Sequence, residues 1–466
     1  VLELAEQNLL DSPQIKYIHF VGIGGISMSG LAEILLNQGY KISGSDIKTS
    51  NITERLSKLG IEIFSGHCEE NIKNPDMVVY TAAVKQDNPE LLRARELGIV
   101  TIERADLLGQ IMKKYRYNIN VSGTHGKTTT TSMITMIMTE AGLNPTVHIG
   151  GELTAIGGNT RIGGNEYFVA EACEYVESFL KFHPYLAVIL NIEEDHLDYF
   201  RDIEHIKESF LKYTSLIPKE GYVVACIDDA NTASILDKIH CNKITYGIKS
   251  ENAQWSARKI SFDEKGSASF TLVKNNEVVT EIKLSVTGIH NVNNAVAASA
   301  ACYTLGCSPE SIRNGLFKFT GTHRRFEIKG IKRDIKVVDD YAHHPSEITA
   351  TLKAAKNIDH NKIWCVFQPH TYTRTKALLS DFAHAFHDAD TVIVSDIYAA
   401  REVDKGEIHS SILAEKIKGN GSNALYIPDF NKIAEYLKDN TSPGDLILTM
   451  GAGDIYKVGE IVLDMI

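Results

Sequence analysis

Residues Asn120 to Ile134 read NVSGTHGKTTTTSMI, a strand-like run that ends in glycines and opens a threonine-rich segment of helical length. The common phosphate loop is GxxxxGK[ST]. Here Gly126, Lys127 and Thr128 supply the ending, but the first glycine is Gly123 and position 121 is Val121, so the loop is two residues shorter. The chemistry survives the shortening. Backbone N–H groups of Gly123, Thr124, Gly126 and Thr129 can cradle phosphate oxygens, Lys127 can reach the β- and γ-phosphates, and the Thr128 hydroxyl can ligate Mg²⁺. A threonine-rich helix start with no ligand is the bland reading, and a flanking strand and helix in the required order weigh against it.

A second glycine turn lies upstream, in KYIHFVGIGGISMSGLAEILLNQGYKISGSD. Gly22, Gly24 and Gly25 follow a strand, and an amphipathic segment runs from Met28 to Asn37. The order resembles GxGxxG without matching it. Such a turn lets backbone approach a pyrophosphate at a helix start, and Asp46, ending the next strand, can accept from a ribose hydroxyl. Taken alone the loop points to a diphosphate-bearing ligand more than to a nicotinamide, and packing alone also produces such turns.

Strand-like runs alternate with helix-length segments, so the class is α/β with largely parallel sheets. We divide the 466 residues into units 1–113, 114–321 and 322–466. In the first, strands fit DMVVYTAA and GIVTI after the glycine turn. In the second, EYFVAEACE, YLAVILNIEEDH and GYVVACIDD follow the phosphate loop, then Ala257 to Val286 alternates as an antiparallel meander. An Ala-rich helix, NVNNAVAASAACYTLG, ends it. In the third, strands fit IKVVDDYA, KIWCVFQPH, DTVIVSDIY, NALYIPD and DLILTMGAGD.

The net charge of −11 disfavours nucleic acid or an anionic membrane as the main partner. No segment reads as a signal peptide, and none carries 18 apolar residues in succession, so no membrane insertion is expected. Seven scattered cysteines without a CxxC pair suit a reducing cytosol. A monomer and a dimer stay equally open.

Further stretches accompany the two loops in order: VAEACEYVESF, NIEEDHLDYF, GIHNVNNAVAA, GTHRRFE, DDYAHHPSEI and FQPHTYTRTK. With GTHGKTTTTSM and HFVGIGGISMSGLAEIL, this set resembles the Mur ligase family, the amino-acid-adding enzymes of peptidoglycan synthesis, from about residue 16 to the C-terminal end. The resemblance implies a Rossmann-like first domain for a UDP precursor, a central ATPase-like domain with a parallel sheet plus a small antiparallel one, and a Rossmann-like third domain for the amino acid. It implies that ATP converts the lactyl carboxylate of UDP-N-acetylmuramate to an acyl phosphate, which the amine of L-alanine attacks. Phosphoryl transfer of this kind is catalysed chiefly by positioning and charge neutralisation.

Residue by residue, the resemblance assigns Thr128 and Glu171 to Mg²⁺ on the ATP phosphates. His196 goes to a second ion, with Mn²⁺ an alternative metal. Asn291, helped by His290 and Asn294, goes to adenine, Asp340 to ribose, and Arg325 to the γ-phosphate, with Arg324 the weaker candidate. Lys127, His196 and Arg325 are the expected catalytic groups. Gly24, Gly25, Ile26, Ser27 and Asp46 would hold UDP, His125 the muramyl part, and His67 belongs to the same precursor site. Tyr341, His343 and Arg374 would take the amino acid. The family motif commonly reads Gln-Pro-His-Arg-Tyr-Thr-Arg, and this chain carries Thr371 in place of the first arginine. Sister enzymes carry a carbamylated lysine where Phe210 falls here, flanked by Lys207 and Lys212.

Other readings are a tripeptide-adding ligase with the same ATP and UDP machinery, a dehydrogenase built on the first loop, and a non-catalytic nucleotide sensor. The dehydrogenase leaves the phosphate loop without a task, and the sensor leaves Lys127, Glu171 and His196 idle.

Overall fold

Strands buried on both faces require near-continuous apolar runs. The runs LAVI, YVVAC, IWCVF and LILTM meet that requirement and form central strands. In the computed structural model, which describes residues 9–400 and 402–466, they build three sheets.

The first sheet is all parallel, in the spatial order Glu62–Ser65, Lys41–Asp46, Tyr17–Val21, Met77–Tyr80, Val100–Glu103. Strand order reverses at Tyr17–Val21, so a crevice opens at its C-terminal end, where ligands of doubly wound sheets bind. The Gly22–Gly25 turn sits there, and the helix after it starts at Ile26, two residues before the amphipathic segment expected from sequence.

The central sheet has ten strands. Its parallel part runs from Thr146–Leu153 through Tyr167–Ala172, Tyr117–Ser122, Leu186–Ile189 and Tyr222–Cys226 to Asn242–Tyr246. The meander forms as expected, as Trp255–Phe262, Ser267–Lys274 and Glu277–Thr287. A pairing of Tyr246 with Trp255 joins it to the parallel part, so the two make one continuous sheet. At the opposite edge Thr146–Leu153 pairs antiparallel with Gly158–Arg161, a hairpin that the sequence reading did not anticipate.

The third sheet orders Glu327–Lys332, Ile335–Asp340, Leu446–Met450, Ile363–Phe367, Thr391–Val394 and Ala424–Tyr426, parallel except for its first strand. One apolar core is shared between the first sheet and a face of the central one, with Tyr115 and Phe168 rings 4.9 Å apart at the seam. Among the described residues no helix is long and apolar enough to cross a membrane.

Candidate active site

The strand Tyr117–Ser122 feeds the turn Gly123–Gly126, which opens the helix Lys127–Glu140. Gly126 adopts φ +83°, and a Cβ there would lie 2.8 Å from Asn294 Oδ1. Glycine is therefore required on two counts, handedness and the close approach of the helix Ile289–Thr304. Asn191 clamps the turn by a reciprocal pair: it accepts from the His125 N–H at 2.8 Å and donates to the His125 carbonyl at 3.2 Å.

A cavity of ≈ 220 Å³ lies over this turn, between the central and third domains. Gly126, Thr129, Asn291, Asn294, Arg325 and Asp340 all line it, so the structure brings together the residues expected around adenine, ribose and γ-phosphate. Burial raises the Asp340 pKa to about 6 despite nearby Arg325. Its oxygens accept from the Phe326 and Ala342 N–H groups at 2.7 and 2.8 Å. Arg324, the weaker γ-phosphate candidate, is committed elsewhere. Its guanidinium donates to Asp339 and to the carbonyls of Gly451 and Gly453 at 2.7–2.9 Å.

The site's cations are all paired. Lys127 Nζ donates to the carbonyls of Gly123 and Thr124 and meets Glu174 Oε2 at 3.1 Å. Burial acts to lower the Lys127 pKa, but Glu174 outweighs it and the net shift is upward, so the side chain is a firm cation. Arg325 lies 3.8 Å from Glu347 and over the Tyr341 ring. Arg374 Nε and Nη2 both donate to Asp195 Oδ1, at 3.0 and 2.8 Å. Burial alone would raise the Asp195 pKa, and Arg374 instead holds it well below the usual carboxylate range.

His125, expected against the muramyl part, lies among residues of the central and third domains. Its Nε2 meets Glu193 at 3.4 Å and Ser346 at 3.2 Å, and its Nδ1 meets Glu347 at 3.2 Å. Both ring nitrogens are thereby spent on a junction between the phosphate loop and the third domain. Burial opposes the charge, but Glu347 and Glu193 overcome it and raise the His125 pKa to about 10. A pKa raised on folding stabilises fully below the unfolded value and loses that stabilisation as pH climbs through the folded one. The melting temperature should therefore fall between about pH 6.5 and 10, and His125→Gln should flatten that fall by several degrees in a calorimetric pH series. Parallel curves for the two proteins would remove the junction's contribution.

Glu171 ends the strand Tyr167–Ala172 and accepts from the Gly150 N–H at 2.7 Å. A Cβ on Gly150 would lie 2.9 Å from Glu171 Oε2, and one on Gly151 would lie 3.0 Å from the Thr128 methyl. The glycine pair thus keeps side chains away from two oxygen donors, and hard oxygen donors in an uncrowded cradle suit Mg²⁺. His196 stands nearby on strained backbone, φ +54°, with its ring 4.4 Å from that of Tyr175. Val176 and Glu177 also hold positive φ, of 49° and 54°, and such strain concentrates at functional sites.

Among the residues expected to take the amino acid, the His343 ring stands edge-on to Tyr341 at 5.4 Å, and it meets the His370 ring at 5.7 Å. Thr371 is held at φ +66° with its N–H on the Tyr398 carbonyl. Phe210 is wholly buried against Phe179, while Lys207 and Lys212 pair with Glu204 and Glu177.

In the first domain Asp46 accepts from the Gly24 N–H at 2.9 Å and so shapes the glycine turn. Ile26 and Ser27, expected on UDP, contact the central hairpin. The Ile26 carbonyl accepts from Asn159 at 2.8 Å, and Ser27 Oγ meets His148 Nε2 at 2.8 Å and Arg104 at 3.2 Å. His67 is held through Nδ1 by Ser45 at 3.0 Å and by the wholly buried Glu90 at 3.3 Å. The sequence reading missed Glu174, Asp195, Glu193, Glu347 and Asn191. Each lies inside a stretch it quoted, three of them in EEDH and EACE, where acidic density was the available signal.

Three family models cover this chain: the Mur ligase family catalytic domain over residues 17–116, the Mur ligase middle domain over 121–302, and the Mur ligase glutamate ligase domain over 324–453. It is 67% identical over 460 residues to the UDP-N-acetylmuramate–L-alanine ligase of Acetivibrio thermocellus, covering 99% of this chain and 98% of that one. It is 55% identical to the enzyme of the same name from Caldanaerobacter subterraneus, covering 98% and 99%. The crystal structure of a UDP-N-acetylmuramate–alanine ligase from Thermotoga maritima superposes with a TM-score of 0.80 at 32% identity, covering 96% of this chain and 98% of that chain. A murein peptide ligase from Psychrobacter arcticus gives 0.72 at 26%, covering 96% and 98%. With all three domains matched in order around a shortened phosphate loop, the chain belongs to the Mur ligase family.

Proposed function

We infer that this chain joins L-alanine to the lactyl carboxylate of UDP-N-acetylmuramate at the expense of ATP, through an acyl phosphate, in peptidoglycan precursor synthesis. The observation that carries this is full-length likeness, at 67% identity, to an enzyme of that name. The cavity between phosphate loop and third domain supplies a physical basis, because it gathers Arg325 and the amides of Asn291 and Asn294 over the loop whose carbonyls Lys127 caps.

The chemistry follows from these side chains. ATP phosphates entering the loop replace Glu174 as the partner of Lys127, which then spans the β- and γ-phosphates. Arg325 leaves Glu347 for the γ-phosphate and offsets charge as the lactyl oxygen attacks phosphorus. Thr128 and Glu171 would hold Mg²⁺, which neutralises phosphate charge when bound. A second ion rests on His196 alone, and Mn²⁺, more tolerant of an imidazole, would suit it. We assign residues 1–113 to the UDP precursor, 114–321 to ATP and 322–466 to the amino acid. We keep His125 for the muramyl group, its pairings with Glu193 and Glu347 yielding to substrate as those of Lys127 and Arg325 do. We assign the enzyme to the cytoplasm, a reading supported by its cysteines, all free thiols as a reducing compartment keeps them.

Phosphate release from ATP, with UDP-N-acetylmuramate present and each amino acid or the tripeptide added in turn, tests the reading. Release with alanine is expected, and release with tripeptide alone would select the rival ligase. Glu171→Ala should shift the Mg²⁺ titration of activity sharply upward, because one carboxylate is a large part of a sparse oxygen site. An unchanged titration would remove Glu171 from the metal.

A further inference from the structure

We propose that Asp195 is the ammonium site for the amino-acid substrate, so that the Asp195–Arg374 ion pair receives the zwitterion as a unit. This rests on the reading of an α-amino acid as the nucleophile. The two side chains are only 9% and 11% exposed. Their bonding is lopsided. Arg374 Nε, Arg374 Nη2 and the His196 N–H all converge on Asp195 Oδ1, at 3.0, 2.8 and 2.7 Å. Oδ2 makes no hydrogen bond among the described residues, and His196 Nε2 stands 3.8 Å from it. On the other side of the pair, Arg374 Nη1 faces only the His370 ring nitrogen, at 3.1 Å.

Oδ2 keeps access to solvent within an otherwise buried side chain, so a cationic donor can reach it and form a charge-assisted bond. An α-amino acid carries its ammonium and carboxylate on one carbon. Laid against the ion pair, it meets Oδ2 with one and Nη1 with the other, and the internal pair need not break. Glu174 and Glu347, the other carboxylates paired with the cations of this site, cannot serve. Both oxygens of Glu174 face Lys127, and those of Glu347 are taken by His125 and by the His343 and His344 N–H groups.

The chemistry also demands an orientation. The amine must face the acyl carbon, on the phosphate-loop side, and the carboxylate must point away. Asp195 stands in the central-domain segment that ends in His196, and Arg374 stands in the third-domain helix Tyr372–Ala377. The negative member of the pair is thus on the side where the amine is needed. Reversed charges would turn the nucleophile away from its target.

The test is steady-state phosphate release by the full-length enzyme at saturating ATP and UDP-N-acetylmuramate. Alanine is varied, and propionate, which has the carboxylate but no ammonium, serves as competitor. In Asp195→Asn the alanine KM should rise roughly 10–100-fold, while the propionate inhibition constant stays put or improves. A parallel weakening of alanine and propionate would mean that Asp195 only braces Arg374 and would overturn the proposal, as would an unchanged alanine KM. If Asp195→Asn melts at the assay temperature, Asp195→Glu keeps the charge and is read on the same ratio, with an alanine KM between wild type and Asn expected. Wild-type enzyme that releases no phosphate with alanine rejects the substrate reading instead. The ammonium claim is then read, by the same ratio, on whichever amino acid supports release.

Discussion

In Lys127→Ala, ligation is expected to fall by at least about 10²–10³-fold, the usual scale for removing a preorganised charge from a transition state, while UDP-N-acetylmuramate still binds. Lys127 Nζ is folded back onto the loop carbonyls and Glu174, inside the central domain. The first glycine turn belongs to a separate sheet, so the two nucleotides do not share this side chain. The variant should also be less stable, because Glu174 is left buried without its partner, and breaking a buried pair from one side costs about 3–5 kcal/mol. Glu174→Gln in the same background should recover part of that loss without recovering rate. Calorimetry on the folded variant decides the matter: lost affinity for UDP-N-acetylmuramate would reject two separate nucleotide sites.

Arg374→Ala should raise the alanine KM roughly 10–100-fold or more, with ATP and UDP-precursor parameters little changed. The carboxylate of an amino acid needs a cation, and a guanidinium fork suits it best. Position 371 offers threonine where the family commonly has a second arginine, so Arg374 carries more of the task, supported by His343. The structure adds a stability cost, since Asp195 would keep its burial and lose its partner. If the alanine KM held while the ATP KM rose, Arg374 would be a phosphate ligand and the pocket assignment would fail.

The legible parts of this protein were those written in contiguous residues. The phosphate loop needs glycines, a lysine and a threonine in fixed order, and each constraint acts within one turn of chain. The meander also announced itself, through alternation over thirty positions. Less visible was the strand Glu62–Ser65, four half-exposed or exposed residues with no apolar run. The hairpin Thr146–Leu153 with Gly158–Arg161 sends only Val147, Ile149 and Leu153 into the core, and its glycines and polar residues, which border Thr128, Glu171 and the first-domain helix, blur the strand signal. The acidic partners were hidden for a different reason. Nothing in EACE or EEDH says which carboxylate will meet Lys127 or Arg374, because the first pairing depends on how distant segments of one domain pack and the second on how two domains meet. His125 shows the same limit: its place in the loop was plain, but its two neighbours come from distant segments.

The resident pairings of Lys127 with Glu174 and of Arg325 with Glu347 have a consequence for how affinity responds to solution conditions. Filling a bare cationic pocket removes net charge and sheds counterions, so its affinity drops steeply with added salt. Here an incoming phosphate takes over a cation already neutralised, and an internal carboxylate is set free as it arrives. The event is a metathesis in which the number of ion pairs is conserved. Nucleotide affinity should accordingly depend only weakly on ionic strength, and much of the discrimination between ligands will reside in how well each one repeats the shape of the carboxylate it evicts.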